Sequence, residues 1–216
     1  MNAHILTVSS YLVIFPMLIW KSSIFLNNMD EGIEVRGDLI LDQACISEHK
    51  MIHDLEQKGF GEIDKGKLFL KSFETLYLLY TQKLFLKKNK KQIDFDTFMN
   101  ICQKTNPEIL TKFLIFRDLK TRGYVVKDGF GFGSDFRVYE RGNFGTKSSK
   151  YLVFALNEGA QEKIGQIQKN IYEITQMGKE PIIAVIERRG EIIYYKISKM
   201  NFNENKPELQ MNDFNF

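Results

Sequence analysis

Four groups of residues in this chain have types and spacings that could do chemistry. His49 and His53 stand four apart in "SEHKMIHDLEQKG". On a helix, that spacing puts two imidazoles on one face, as a metal site would need. No third ligand is evident, and a solvated helix face is the plainer reading. Asp135 and Glu187 fall in strand-like stretches, where a metal-dependent nuclease would gather carboxylates. However, "IERR" sets arginine where such sites usually carry lysine after the acid. "GFGFG" (Gly129, Gly131, Gly133) invites comparison with a phosphate-cradling loop. Its spacing is not GxGxxG and a strand follows it, so a hairpin turn accounts for it better. The last group is Tyr139, in "FRVYERGNFGTKSSKYLV", and Lys179, in "GKEPIIAVIE". Tyr139 ends a strand and Lys179 ends a helix just before another strand, and such ends are where sheet folds assemble sites. Taken alone, a strand aromatic and a lysine beside a helix dipole remain the simpler description.

The elements that must position these residues are legible in outline. "EILTKFLIFRDLKTRG" reads as an amphipathic helix with Leu110, Phe113, Leu114, Phe116 and Leu119 near one face and Gly123 just past its end. "YVVKDGFGFGSDFRVYERG" reads as two strands joined by a Gly-rich turn, and "KYLVFALNE" as a buried strand. "AQEKIGQIQKNIYEITQMGK" follows as a helix ending near Gly178, and "PIIAVIERRGEIIYYKIS" as a hairpin turning at Arg189-Gly190. Upstream, "GIEVRGDLILD" reads as strand, turn, strand. "SEHKMIHDLEQKG" reads as a helix capped by Ser47, with Lys50 at N3 and an end at Gly59. "KLFLKSFETLYLLYTQK" gives a short strand and then a helix with Phe73, Leu76, Leu79 and Tyr80 on one face. "LFLKKNKKQIDFDTFMNICQKTN" gives a strand, a basic turn and a helix opening at Asp94 or Asp96. Pro107 marks a boundary. The expected fold is α/β. It has an extension of unclear role over 1–34, a small α/β domain over 35–107, and a mixed sheet flanked by two helices over 108–216.

Composition narrows the class. The chain has 216 residues, 44% hydrophobic and 26% charged, ordinary values for a soluble globular protein. A net charge of +3 does not by itself imply nucleic acid. Between Lys112 and Val153, however, nine Lys/Arg face four Asp/Glu, a candidate polyanion surface. Cys45 and Cys102 form no CxxC pattern, which points to neither a zinc site nor a disulfide framework, but to a reducing compartment. The run "ILTVSSYLVIFPMLIW" is broken by Ser9, Ser10 and Pro16, and it is short for a membrane helix of roughly twenty residues. It also lacks the basic flank of a signal peptide. It reads as buried strand, partner-binding segment, or sequence upstream of a start at Met29.

"FLIFRDLKTRGYVVKDGFGFGSDFRVYERG", then "SKYLV", then "IIAVIERRGEIIYY" resemble, in order, the archaeal tRNA-intron splicing endonucleases. The resemblance is strong over 110 to about 198 and weaker over 65–109. It implies the C-terminal nuclease fold of that family and cleavage at a bulge–helix–bulge without metal or cofactor, leaving 2′,3′-cyclic phosphate and 5′-hydroxyl ends. That chemistry needs a base, an acid and a cation to stabilise the phosphorane, roles the family gives to Tyr, His and Lys. The matching positions are Tyr139, Ser148 and Lys179; no histidine follows His53. A serine hydroxyl cannot replace imidazole near neutral pH. Tyr172 stands where catalytic chains carry a base-sandwiching arginine; it can still stack on a base but has no charge.

The resemblance is therefore closest to a non-catalytic subunit that pairs with a catalytic chain in an α2β2 tetramer, binds precursor tRNA, needs no membrane and works in the cytoplasm. It implies interface roles for Ile192, Tyr194 and Lys196 in the strand "EIIYYKI", which pairs tail to tail with a partner's strand. It implies a docking role for Glu158, with Glu162 as a second charge. Charge alone nominates Arg117, Lys120, Arg122, Arg137, Arg141, Lys147 and Lys150 as phosphate contacts, against the alternative of solvated surface cations. Two other readings stay open: a catalytic subunit with a substituted acid, and an RNA-binding module with no splicing role.

Overall fold

The computed structural model describes residues 12–16, 35–157 and 170–199. Alternating apolar residues and left-handed turns build two mixed six-stranded sheets. The first holds β2 (Val35–Ile40), β3 (Gln43–Ile46), β4 (Glu62–Asp64), β5 (Lys67–Leu70), β6 (Leu84–Lys88) and β7 (Lys91–Ile93), in the order β4-β5-β3-β2-β6-β7. The second holds β1 (Leu12–Pro16), β8 (Val125–Asp128), β9 (Phe136–Tyr139), β10 (Tyr151–Asn157), β11 (Glu180–Ile186) and β12 (Ile192–Lys199), in the order β1-β12-β11-β10-β9-β8. Within the second sheet only β10 and β11 run parallel. Their crossover contains α5 (170–176). No helix among the described residues is long and apolar enough to cross a membrane.

The helices are α1 (His49–Gln57), α2 (Ser72–Tyr80), α3 (Phe95–Thr105), α4 (Ile109–Thr121) and α5. The second sheet buries both faces, one against α4 and the other against α5. Ile109, Ile115 and Phe116 of α4 share a core with Phe136, Val138, Val153 and Ala184. Ile171 and Ile174 of α5 pack on Leu152, Phe154 and Ile183. The α4 core runs on into the first sheet through aromatic contacts. Phe73 of α2 lies 4.9 Å from Phe116 and 5.2 Å from Phe136 between ring centroids.

Several local expectations shift. α1 begins after Glu48 with no side-chain cap, so Ser47 lies one residue outside the cap position. "GIEVRGDLILD" holds one strand, and the turn falls at Leu41-Asp42, where Leu41 adopts φ 57°. Gly37 stays inside that strand, close against the Cys45 carbonyl. α2 is buried beyond the predicted face: Glu74, Thr75 and Leu78 are inside, while Tyr80 is 52% exposed. On α4, Leu110 is exposed and Ile109, Thr111 and Ile115 are buried instead. Asp94 does cap α3, accepting from Thr97 N at 2.9 Å. The preceding basic turn, Asn89-Lys90, joins β6 to the short strand β7, which the sequence reading passed over.

Candidate functional site

The Gly-rich stretch is the turn between β8 and β9. Gly129 N donates to the Asp135 carbonyl at 2.9 Å. A Cβ on Gly129 would meet the Ser134 carbonyl oxygen at 1.8 Å, so the tight closure requires glycine there. The turn fixes β9, and β9 carries Arg137 and Tyr139. In the register, Val125 faces Tyr139, Lys127 faces Arg137, and Leu152 of β10 faces Arg137 from the other side.

Lys179 is placed by the end of α5. Lys179 N donates to the Ile174 carbonyl at 3.2 Å and Gly178 N to the Thr175 carbonyl at 2.9 Å, with Gly178 at φ 68°. These two bonds make a Schellman cap, which turns the chain out of the helix and directly into β11. Glu180 pairs with Tyr151 in the parallel β10–β11 ladder, and Tyr151 pairs with Val138 in the antiparallel β9–β10 ladder. The row just outside those pairs is therefore Tyr139, Lys150, Lys179. Lys150 N donates to the Val138 carbonyl at 3.0 Å, and Glu180 N to the Lys150 carbonyl at 2.9 Å. The sheet thus brings Tyr139 and Lys179 to the same end, two strands or about 10 Å apart. Strand alternation puts Arg137 and Tyr139 on the face that Leu152 shares with α5.

The side chains at this end are tied down unequally. Tyr139 stacks edge-on against Phe144 at 5.1 Å. Lys179 Nζ donates to the Ser149 carbonyl at 2.7 Å and to Ser149 Oγ at 2.9 Å. Burial, and next the Arg137 charge, push the Lys179 ammonium below its ordinary value. Ser149 is buried whereas Ser148, in the histidine slot, is exposed. Tyr172 is 62% exposed on α5.

The nominated phosphate contacts separate by partner. Lys120 folds back onto the Phe60 ring at 4.3 Å and donates to the Lys58 carbonyl at 3.2 Å. Arg117 lies over the Tyr80 and Phe113 rings. Arg122 pairs with Asp118 at 2.6 Å, and Arg141 donates to the Arg122 carbonyl. Lys150 pairs with Glu140 at 2.6 Å, and that bond holds the Glu140 carboxyl below and the Lys150 ammonium above their ordinary values. Lys147 is exposed. Arg137 differs from these: its Nε is buried with no hydrogen-bond partner among the described residues.

The residues nominated for an interface divide similarly. Ile192 and Tyr194 pack against the α4 core, and Tyr194 Oη donates to Asp118 Oδ2 at 2.7 Å. Lys196 pairs with Glu180 at 2.9 Å. The edge of β12, expected to face a partner's strand, carries β1 in an antiparallel ladder from Leu12↔Lys199 to Pro16↔Tyr195. Glu158 and Glu162 lie outside the described residues. His53 Nε2 lies 3.0 Å from Gln57 Nε2 on the exposed side of α1. Among the described residues no three His, Cys, Asp or Glu side chains gather as metal ligands. The sequence reading passed over Ser149, Glu140 and Asp118, whose only signal was adjacency in the chain to a nominated residue or a place one helical turn from it.

Comparison with known proteins matches residues 35–99 to the tRNA intron endonuclease N-terminal domain and residues 109–194 to the tRNA intron endonuclease catalytic C-terminal domain. The tRNA-splicing endonuclease of Methanococcus maripaludis is 34% identical over 147 residues, covering 68% of this chain and 83% of that protein. The tRNA-splicing endonuclease of Thermococcus onnurineus is 31% identical over 175 residues, covering 81% of this chain and 100% of that protein.

Proposed function

The chain belongs to the tRNA intron endonuclease family, and from that membership we propose that it is a structural subunit of a tRNA-splicing endonuclease. In this reading it assembles with a histidine-bearing chain, as an α2β2 tetramer, and helps to hold a bulge–helix–bulge precursor tRNA. The observation that carries the reading is Ser148. It occupies the acid position next to a sheet end that keeps Tyr139 and Lys179, and no histidine lies after His53 to take its place. Loss of a positioned acid costs about 10²- to 10⁴-fold in rate. Residues 35–107 and 108–216 would act as two domains of this subunit. Its site would be cytoplasmic, in keeping with the free cysteines Cys45 and Cys102.

A second reading has one observation in its favour: Tyr139 and Lys179 still share a sheet end. The chain would then cut with water or lysine as the proton donor. The test offers bulge–helix–bulge RNA to the purified chain alone and together with a histidine-bearing family chain. Cleavage only in the mixture, unaffected by Tyr139→Phe in this chain, supports the structural subunit. Robust cleavage by this chain alone overturns it.

A further inference from the structure

A guanidinium is always charged at ordinary pH and presents its N–H donors in a fixed fork. Burying one of those donors without a partner is costly, and native structures rarely do it without a functional reason. Arg137 Nε is such a donor among the described residues. Its surroundings make the cost greater. Lys127 faces Arg137 across the β8–β9 ladder. Lys179 approaches from the far side of β10, and both lysines feel the Arg137 charge. The other cations have found acceptors inside the protein: Lys127 on the Gly61 carbonyl, Lys179 on Ser149, Lys150 on Glu140. Strand alternation places Arg137 two residues from Tyr139 on the same sheet face.

An unpaired buried donor between like charges is the arrangement an anion completes, since one oxyanion would satisfy the orphan N–H and relieve the repulsion together. We propose that Arg137, with Lys179 beside it, forms a phosphate-binding site at this sheet end that takes a backbone phosphodiester of RNA. The RNA identity of the ligand rests on the proposed function above; the anion site itself does not. The site works without the histidine, so a chain that has lost cleavage keeps a reason to retain Arg137 and Lys179. Arg137 binds and positions; it takes no proton.

The full chain is tested by thermal unfolding in rising inorganic phosphate at constant ionic strength, with chloride as the balancing anion. The wild type is expected to gain in Tm with phosphate. Arg137→Gln is expected to show no gain, and to melt no lower than the wild type when phosphate is absent. If Arg137→Gln does not fold, Lys179→Met carries the same comparison, with a reduced phosphate response expected. A phosphate response equal in wild type and variant overturns the site, as does Arg137→Gln melting well below wild type without phosphate. Binding of bulge–helix–bulge RNA is then measured against salt concentration. Arg137→Gln should lower the salt slope by about one phosphate contact. An unchanged slope with intact RNA binding sinks the RNA role of Arg137 alone. A retained phosphate response with no RNA binding leaves the anion site standing and sinks the substrate reading.

Discussion

Lys179 is bonded to Ser149, the residue that follows the histidine slot: its Nζ donates to the Ser149 carbonyl at 2.7 Å and to Ser149 Oγ at 2.9 Å. The lysine is therefore held by its own chain, in a place where burial first and Arg137 second push its ammonium below the ordinary value of 10.5. Because the folded value lies below the unfolded one, the unfolded chain binds more protons in the window between them. Wild-type stability relative to Lys179→Met should then rise as pH climbs from neutral toward 10.5, read from urea midpoints. Ser149→Ala keeps the carbonyl acceptor and should cost about 1 kcal/mol. A flat pH difference between wild type and Lys179→Met would count against the depressed ammonium.

Restoring the missing acid is a direct test of what the site lacks. Ser148 is exposed at the end of the loop that runs from Tyr139 to β10, so a larger side chain has room there. Ser148→His should raise cleavage of bulge–helix–bulge RNA by at least about 10²-fold over the wild type. The gained rate should carry an ionisation near 6.5, the ordinary value for imidazole. Wild-type and variant rates that coincide would show that this sheet end cannot do the chemistry even when the acid is present.

The site was legible in the sequence to the extent that strand ends and helix ends carry signatures. "GFGFG" marks a hairpin because its turn needs backbone that only glycine adopts comfortably. Gly178 marks the exit from α5 that delivers Lys179. The pairing that sets Tyr139 and Lys179 in one row was not legible, because register comes from which strands meet, and strands β9, β10 and β11 are joined through loops and a helix. Nor were the fates of the cations. Arg122, Arg141 and Arg137 look alike in a charge count. Only the folded chain shows that Asp118 neutralises the first, a carbonyl occupies the second, and the third is left with a bare Nε. Leu110 was misread because α4 is buried between a sheet and α2, and its apolar arc is wider than the stripe of a surface helix.

Glu74 gives a pH dependence of opposite sign to Lys179. Its carboxyl is 1% exposed and accepts from Gly61 N at 3.0 Å and Lys71 N at 2.8 Å. Burial outweighs those bonds and raises it from 4.5 to about 7. A raised folded value means stability that is fully present below 4.5 and lost as pH rises through about 7. The slope should approach, at most, roughly 1.4 kcal/mol per pH unit in that window. Glu74→Gln should remove the slope. It should also leave one backbone donor poorly matched, costing about 1–3 kcal/mol at acid pH. Urea denaturation of both proteins across the window measures both effects, and a slope surviving in Glu74→Gln would assign it elsewhere.

Tyr194 joins α4 to β12 through a charged partner. Its hydroxyl donates to Asp118 Oδ2 at 2.7 Å, the same oxygen that takes Arg122 Nε at 2.6 Å, and Arg122 lies over the Tyr194 ring. Tyr194→Phe keeps the ring and deletes the bond, so it should cost about 1.5–3 kcal/mol, the range for a hydrogen bond to a charged group. If Tyr194 instead served mainly at a contact with another chain, the same change would weaken assembly while leaving the unfolding midpoint of the isolated chain unmoved.

The β1–β12 ladder bears on assembly more than any single side chain. Five pairs, from Leu12↔Lys199 to Pro16↔Tyr195, close the edge that a partner strand would otherwise extend. Any complex built by strand pairing on β12 must first lift β1 away, and the free energy of that ladder is subtracted from the affinity. Alternate backbone N–H groups of an edge strand point toward its neighbour, so prolines at both Val13 and Ile14 remove at least one ladder donor whichever way the strand faces. The double variant should therefore associate through β12, with a histidine-bearing chain or with a second copy, at least about tenfold more tightly than the wild type, a gain of about 1.4 kcal/mol. Size-exclusion mass and a titration of the partner measure it. Equal association by the two proteins would mean that β1 does not guard this edge in solution, or that assembly uses another surface, and either result separates the β12 contact from the structural-subunit role.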